Sequence, residues 1–228
     1  MSNFSKFIEE QNQVITLLLE DIKEDLPLKT VINLKKSLLG AYLERSIAMF
    51  SANYSKEAIS LSLLETIPAF VDNFKWEGIE GYGDYEEMLW LLSLAILCDI
   101  PDEPLEDIVK ILERDNAKDR LLKTLVNYRF PNRLSSGSAN YLQRLPYADL
   151  DSVIIGVDKK VSSIKNYLDK KWYQAMDEEA WHDSHKNTKV NTYFGYWAWE
   201  TAALAKIHGI EDKSLENQKY YPFRAVHW

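Results

Sequence analysis

Residues 191–209, NTYFGYWAWETAALAKIHG, decide how the rest of the chain is read. As a helix this stretch would run about 27 Å, and nearly every side of it is apolar or small. Tyr193, Tyr196, Trp197, Leu204 and Ile207 recur at three- and four-residue steps. Ala198, Ala202 and Ala205 form a low-relief face on which another helix can approach closely. The pattern predicts a buried helix over 193–208, with Thr192 as N-cap and Gly209 as the left-handed residue that ends it. Lys206 and His208 fall in its last turn, toward the negative end of the helix dipole. Glu200 does not suit an apolar rod. It stands four positions after Tyr196 and three after Trp197, so its carboxylate must be paired, hydrogen-bonded or neutralised.

The 228 residues, 46% apolar and 12% aromatic, suffice for a large core. Cys98, the single cysteine, lies in the apolar run MLWLLSLAILC and reads as an inert buried thiol. The amino terminus has no basic segment followed by an apolar core, and no apolar run reaches membrane-spanning length, so a cytoplasmic protein is expected.

The net charge of −8 is unevenly placed. From residue 72 to 107 eleven acidic residues face Lys75 alone, a local charge of −10, while the remainder of the chain carries +2. Such a field disfavours direct nucleic-acid binding and favours a basic protein partner. A solvated acidic surface with no partner is the plainer alternative.

Helical spacing continues along the chain. Phe4, Phe7, Ile8, Gln11, Ile15, Leu18, Leu19 and Ile22 mark a first amphipathic helix ending before Pro27. Val31, Leu34, Leu38, Tyr42 and Phe50 mark a second, with Glu44 and Arg45 near its middle, and a third runs from Ser55 to Phe74 with Pro68 inside it. Gly78, Gly81 and Gly83 then interrupt regular structure, which divides the chain into a helical domain over 1–80 and a second over 81–228. Asp84 is expected to cap the next helix, and residues 100–104, IPDEP, to turn the chain into another. Further helices are predicted over 117–128, 141–145 and 148–155, and from Asp158 through Trp172. The predicted class is all-α, with antiparallel helical hairpins stacked around the helix over 193–208.

From Trp172 to Pro222 a set of motifs stands out. An aromatic-x-Asp-Ser-His-Lys loop at Trp181, Asp183, Ser184, His185 and Lys186 precedes Tyr193, Gly195, Tyr196, Trp197, Trp199 and Glu200. Ala202, Ala203, Gly209, Asp212, Tyr220, Tyr221 and Pro222 follow. This pattern closely resembles the C-terminal domain of the PoNi-like bacterial immunity proteins, except that position 182 is His where the family has Tyr. The resemblance implies a protein of interbacterial competition that binds and silences a cognate polymorphic toxin, in the best-known members one that cleaves DNA. It implies no catalysis and no cofactor or metal, and a toxin partner with a basic surface.

The acidic segment is consistent with that job, because carboxylates can occupy a nuclease's basic groove in place of phosphates. The expected toxin-binding residues are Trp76, Glu77, Glu80, Tyr82, Asp84, Glu86 and Glu87, joined by Asp99, Asp102, Glu103, Glu106 and Asp107. Trp181, Asp183, Ser184, His185, Tyr193, Gly195, Tyr196, Trp197 and Glu200 are expected to be structural. Asp183 and Ser184 would bond turn amides and His185 a core acid. His182 and His185 at metal-ligand spacing fall short of the four ligands of a structural zinc. Glu200 with His185 or Arg45 reads either as a buried structural pair or as the acid and base of a small hydrolase. The two differ in whether the carboxylate is sealed or opens onto a cavity. A helical adaptor with an acidic face is a third reading.

Overall fold

A computed structural model describes residues 3–75, 78–79, 81–134, 140–157 and 161–228. Among these residues there are helices, turns and extended segments but no β-strand, so the chain is all-α. It divides into two compact units, Met1–Glu77 with Asp183–Gly195, and Gly78–His182 with Tyr196–Trp228.

The first unit is built on α1 (Asn3–Asp21), α2 (Leu28–Ser51) and α3 (Lys56–Asn73). The short connections of 22–27 and 52–55 make antiparallel neighbours, and α2 packs against both other helices. Phe7, Ile8 and Ile15 of α1, Leu38, Leu39, Leu43 and Ile47 of α2, and Ile59, Leu63, Ile67 and Phe70 of α3 are buried. Ser55 caps α3 by accepting from the Ala58 amide at 3.3 Å.

One guanidinium ties the three helices together. Arg45 is 9% exposed and donates to Ser62 Oγ at 3.0 and 3.2 Å, to Glu65 at 2.5 Å and to Asn12 Oδ1 at 3.2 Å. It also lies 5.0 Å from the centre of the Tyr42 ring. Nearby Glu44 accepts from Gln11 Nε2 at 3.3 Å, and burial pushes its carboxyl up to about 7.

Residues 183–195 return to this unit in a form the spacing did not predict. No helix begins at Thr192. Residues 191–198 are irregular, and α9 starts only at Trp199, with Ala198 as its N-cap residue. Gly195 holds φ at +114°, which glycine alone adopts readily and which no α-helix contains. Phe194 packs on Phe7 at 6.0 Å and Tyr193 on Phe4 at 5.4 Å, while the Phe194 carbonyl accepts from Ser51 Oγ at 2.8 Å. Packing on α1 and α2 has overridden an apolar periodicity that is as compatible with a wrapped extended strand of chain as with a helix.

The second unit contains α4 (Tyr82–Leu97), α5 (Asp102–Arg114), α6 (Arg120–Arg129), α7 (Asp151–Ile154), α8 (Val161–Tyr167), α9 (Trp199–His208) and α10 (Phe223–Val226). Its centre is the pair α4 and α9, which pack on each other and are each buried on almost all sides. Ala202, Ala203 and Ala205 are buried on α9. Lys206 reaches from α9 to the end of α4, donating to the Ile96 carbonyl at 2.9 Å, the Leu97 carbonyl at 3.3 Å and Asp99 at 2.8 Å. It thereby satisfies carbonyls that the helix itself leaves open. Gly209 ends α9 at φ +60°, as its position predicted. The helix of α4 begins two residues before Asp84, which sits in its first turn and is not its N-cap. Residues 141–145 are not helical, and Asp158 lies outside the described residues.

Buried acids in this unit find donors on neighbouring helices. Asp119 caps α6 by accepting from the Leu122 amide at 2.8 Å and also takes the Leu142 amide at 2.9 Å and the Tyr85 hydroxyl at 3.3 Å. Glu200 is 1% exposed and accepts from the Tyr167 hydroxyl at 2.9 Å. Burial pushes the Glu200 carboxyl up to about 7.

A carboxyl raised from 4.5 to about 7 favours the folded state below pH 4.5 and loses that contribution as pH rises through 7. Glu200→Gln should therefore match the wild type in urea melts at pH 4 and exceed it at pH 8 by roughly 3 kcal/mol. A difference that does not change with pH would contradict the assignment. Arg45→Ala should cost about 3 kcal/mol, because it strands the buried Ser62 hydroxyl and empties the space the guanidinium fills among three helices, whereas Glu65→Ala, whose side chain is 60% exposed, should cost under about 1 kcal/mol. Denaturant midpoints of the two variants measure the contrast.

Candidate functional site

The spacing of acids on α5 sets out two rows. Asp102, Glu106 and Glu113 share one side of the helix beside buried Val109, and Glu103, Asp107 and Lys110 the next. Basic side chains at and after the end of α6 clamp the inner row. Arg129 donates to Asp102 at 2.6 Å and to the Ile100 carbonyl at 2.9 Å. Arg133 donates to Glu106 at 2.8 Å and grips both oxygens of Glu113 at 2.6 and 2.8 Å, a fork geometry that raises its own pKa. The outer row faces solvent, with Asp107 accepting from Lys110 at 2.8 Å and Glu103 exposed. Asp102, Glu103, Glu106, Asp107 and Lys110 line a shallow depression of about 370 Å³. Arg129 and Arg133 were not anticipated; the only sign of them was their place around Pro131, directly after an apolar helix.

The expected residues nearer α4 are more dispersed in role. Tyr82 is half-buried and donates to Met176 Sδ at 2.9 Å, and burial raises its phenol above the usual range. Asp84 and Glu87 are half-buried, and Asp99, in the left-handed region at φ +54°, is paired with Lys206. Glu86 corrects the expectation. It is 3% exposed, and its Oε2 accepts from Trp181 Nε1 at 2.8 Å, so it is an interior group that offers nothing to a partner. Desolvation holds its carboxyl well above the usual carboxylate range. Trp76, Glu77 and Glu80 lie outside the described residues. A second depression, of about 410 Å³, lies beside the glycine-rich run and is lined by Gly78, Ile79, Asp115, Asn116, Ala117, Lys118 and Leu142.

The motif residues divide between the units. In the second, Trp181 stacks on Trp172 at 5.6 Å and meets Trp90 at 6.1 Å and Tyr196 at 5.5 Å, so its bond to Glu86 is fixed by rings. Trp197 is half-buried beside Trp199. Asp212, buried, accepts from the Tyr221 hydroxyl at 2.7 Å and from His227 at 2.8 Å. In the first unit Asp183 is left-handed at φ +58° and pairs with Lys186 at 2.6 Å, and Ser184 is buried. His185 was expected to pair with a core acid. It is exposed, its ring edge-on to Tyr193 at 6.0 Å.

The hydrolase reading required an open carboxylate beside a base. Glu200 is sealed and bonded to Tyr167, while Arg45 is engaged with Ser62, Glu65 and Asn12. Among the described residues no group of three or more His, Cys, Asp or Glu side chains is placed to hold a metal ion. Nor is any described helix long and apolar enough to cross a membrane.

Comparison with known proteins yields a consistent family. The model of the PoNe immunity protein (PoNi) N-terminal region matches residues 2–110, and that of the C-terminal region matches residues 117–224. No curated protein matches the chain. The crystal structure of protein PA2201 from Pseudomonas aeruginosa is similar with a TM-score of 0.73 and 17% identity, over 98% of this chain and 87% of that one, a likeness of fold alone. With the two family models running almost end to end along it, the chain belongs to the PoNe immunity protein (PoNi) family.

Proposed function

We propose that this immunity protein silences a DNA-cleaving toxin in the cytoplasm by seating a carboxylate-bearing face in the toxin's basic groove, blocking it sterically and electrostatically. The observation that carries the reading is the organisation of α5. Arg129 and Arg133 hold the inner row of carboxylates rigid and partly neutralised, while Glu103 and Asp107 stand outward at the spacing of one helical turn. Preorganised charges of one sign speed encounter with a basic partner and lose little freedom on docking. Asp102, Glu106 and Asp99 flank this row. Tyr82, Asp84 and Glu87, with Trp76, Glu77 and Glu80 beside them in sequence, extend the proposed surface; Glu86 does not belong to it. In this reading the chain performs no catalysis and binds neither nucleic acid nor membrane directly.

Glu103→Lys combined with Asp107→Lys should weaken binding of the toxin encoded by the adjacent gene by about 10- to 100-fold at low salt and flatten the salt dependence. Helix content by circular dichroism should stay the same, since both side chains are exposed. Titration calorimetry against the purified toxin decides it: an unchanged affinity removes the α5 face from the mechanism.

A further inference from the structure

Beyond α8 the helix widens into a five-residue π-turn, Leu168–Trp172, and Tyr173 follows it directly. Such widenings re-aim side chains and recur at functional sites. The Tyr173 ring meets His182 at 4.1 Å and Tyr220 at 5.0 Å, the second pair lying within 8° of parallel. Tyr220 itself holds φ at +69°, an uncommon and strained conformation for a bulky residue. Its carbonyl, accepting from the Ala198 amide at 2.9 Å, helps to fix it there. The exposed ammonium of Lys219 lies 4.5 Å from the centre of the Tyr220 ring and 5.5 Å from that of Tyr173. The ring ladder thus already holds a cation on its face. Asp177 and Glu178, both exposed, stand a few residues before His182 in a run without a basic side chain.

We infer that this ladder is a seat for an arginine side chain of a basic partner protein, with Lys219 as its occupant in the free chain. A planar, weakly hydrated guanidinium stacks on aromatic faces better than an ammonium does, so it displaces Lys219 into solvent. Asp177 and Glu178, exposed and between Tyr173 and His182 in sequence, make this stretch of chain acidic. The inference rests on the toxin-binding reading only for the identity of the partner.

The test has two parts. In the first, the full chain is titrated with N-acetyl-arginine amide while the ring resonances of Tyr173 and His182 are followed by NMR. Arginine should shift both more than N-acetyl-lysine amide does, Lys219→Met should tighten its binding about 3-fold, and Tyr173→Leu should abolish the response. Equal responses in the wild type and Tyr173→Leu, or no tightening in Lys219→Met, overturn the seat. If Tyr173→Leu fails to fold, His182→Ala replaces it in the same comparison.

In the second part the adjacent-gene toxin is the probe, at about 0.5 M salt where long-range charge is screened. Tyr173→Leu should weaken binding and Lys219→Met strengthen it. Loss of affinity in the α5 double variant at low salt with none in Tyr173→Leu at either salt overturns the seat and leaves the acidic face standing, and the reverse pattern does the opposite.

Discussion

A carboxylate cut off from water must find a donor or give up its charge, and the second unit is arranged around that requirement. Glu200 takes the Tyr167 hydroxyl, Glu86 the Trp181 indole, Asp119 the Tyr85 hydroxyl with two backbone amides, and Asp212 the Tyr221 hydroxyl. Apart from the Leu122 amide, which belongs to the cap of α6, each bond joins residues far apart in sequence or on separate elements, so each fixes how two pieces pack. Tyr and Trp suit this work because a large apolar body carries one polar tip. The rings bury area and the tip answers the acid, which is why so many aromatic side chains sit next to so few interior charges.

The acids of α5 follow the opposite logic. They stay in water, where an isolated ion pair contributes little to stability, and Arg129 and Arg133 serve them chiefly by fixing geometry. The same residue types therefore do two jobs in one chain, and what separates them is access to solvent. Glu86 and Glu103 are both glutamates of one acidic segment, yet the first is a brace and the second is a candidate contact.

This distinction also marks what could be read from sequence. Helical periodicity gave the three amino-terminal helices, the α4 run and the glycine that ends α9, since these depend on local spacing and caps. The need of Glu200 for a partner was readable from its aromatic flanks, but Tyr167 was not, because nothing local links residues 33 apart. Charge density located the acidic segment but could not tell Glu86 from its exposed neighbours, since the side of α4 that meets Trp181 is a tertiary fact. The largest miss, a helix expected from Tyr193, came from treating apolar three- and four-residue spacing as sufficient. Gly195 in the middle of the run was the contrary sign.

That same segment bears on how the chain is made. Residues 183–195 complete the amino-terminal unit, yet more than a hundred residues of the other unit separate them from α3. A ribosome adding about 5–20 residues per second needs on the order of ten seconds to cover that gap. Throughout that interval Phe4 and Phe7 await the rings of Tyr193 and Phe194. The ribosome thus makes α1 and α2 well before the segment that completes their unit, and the nascent chain keeps part of their apolar surface uncovered until residues 183–195 emerge.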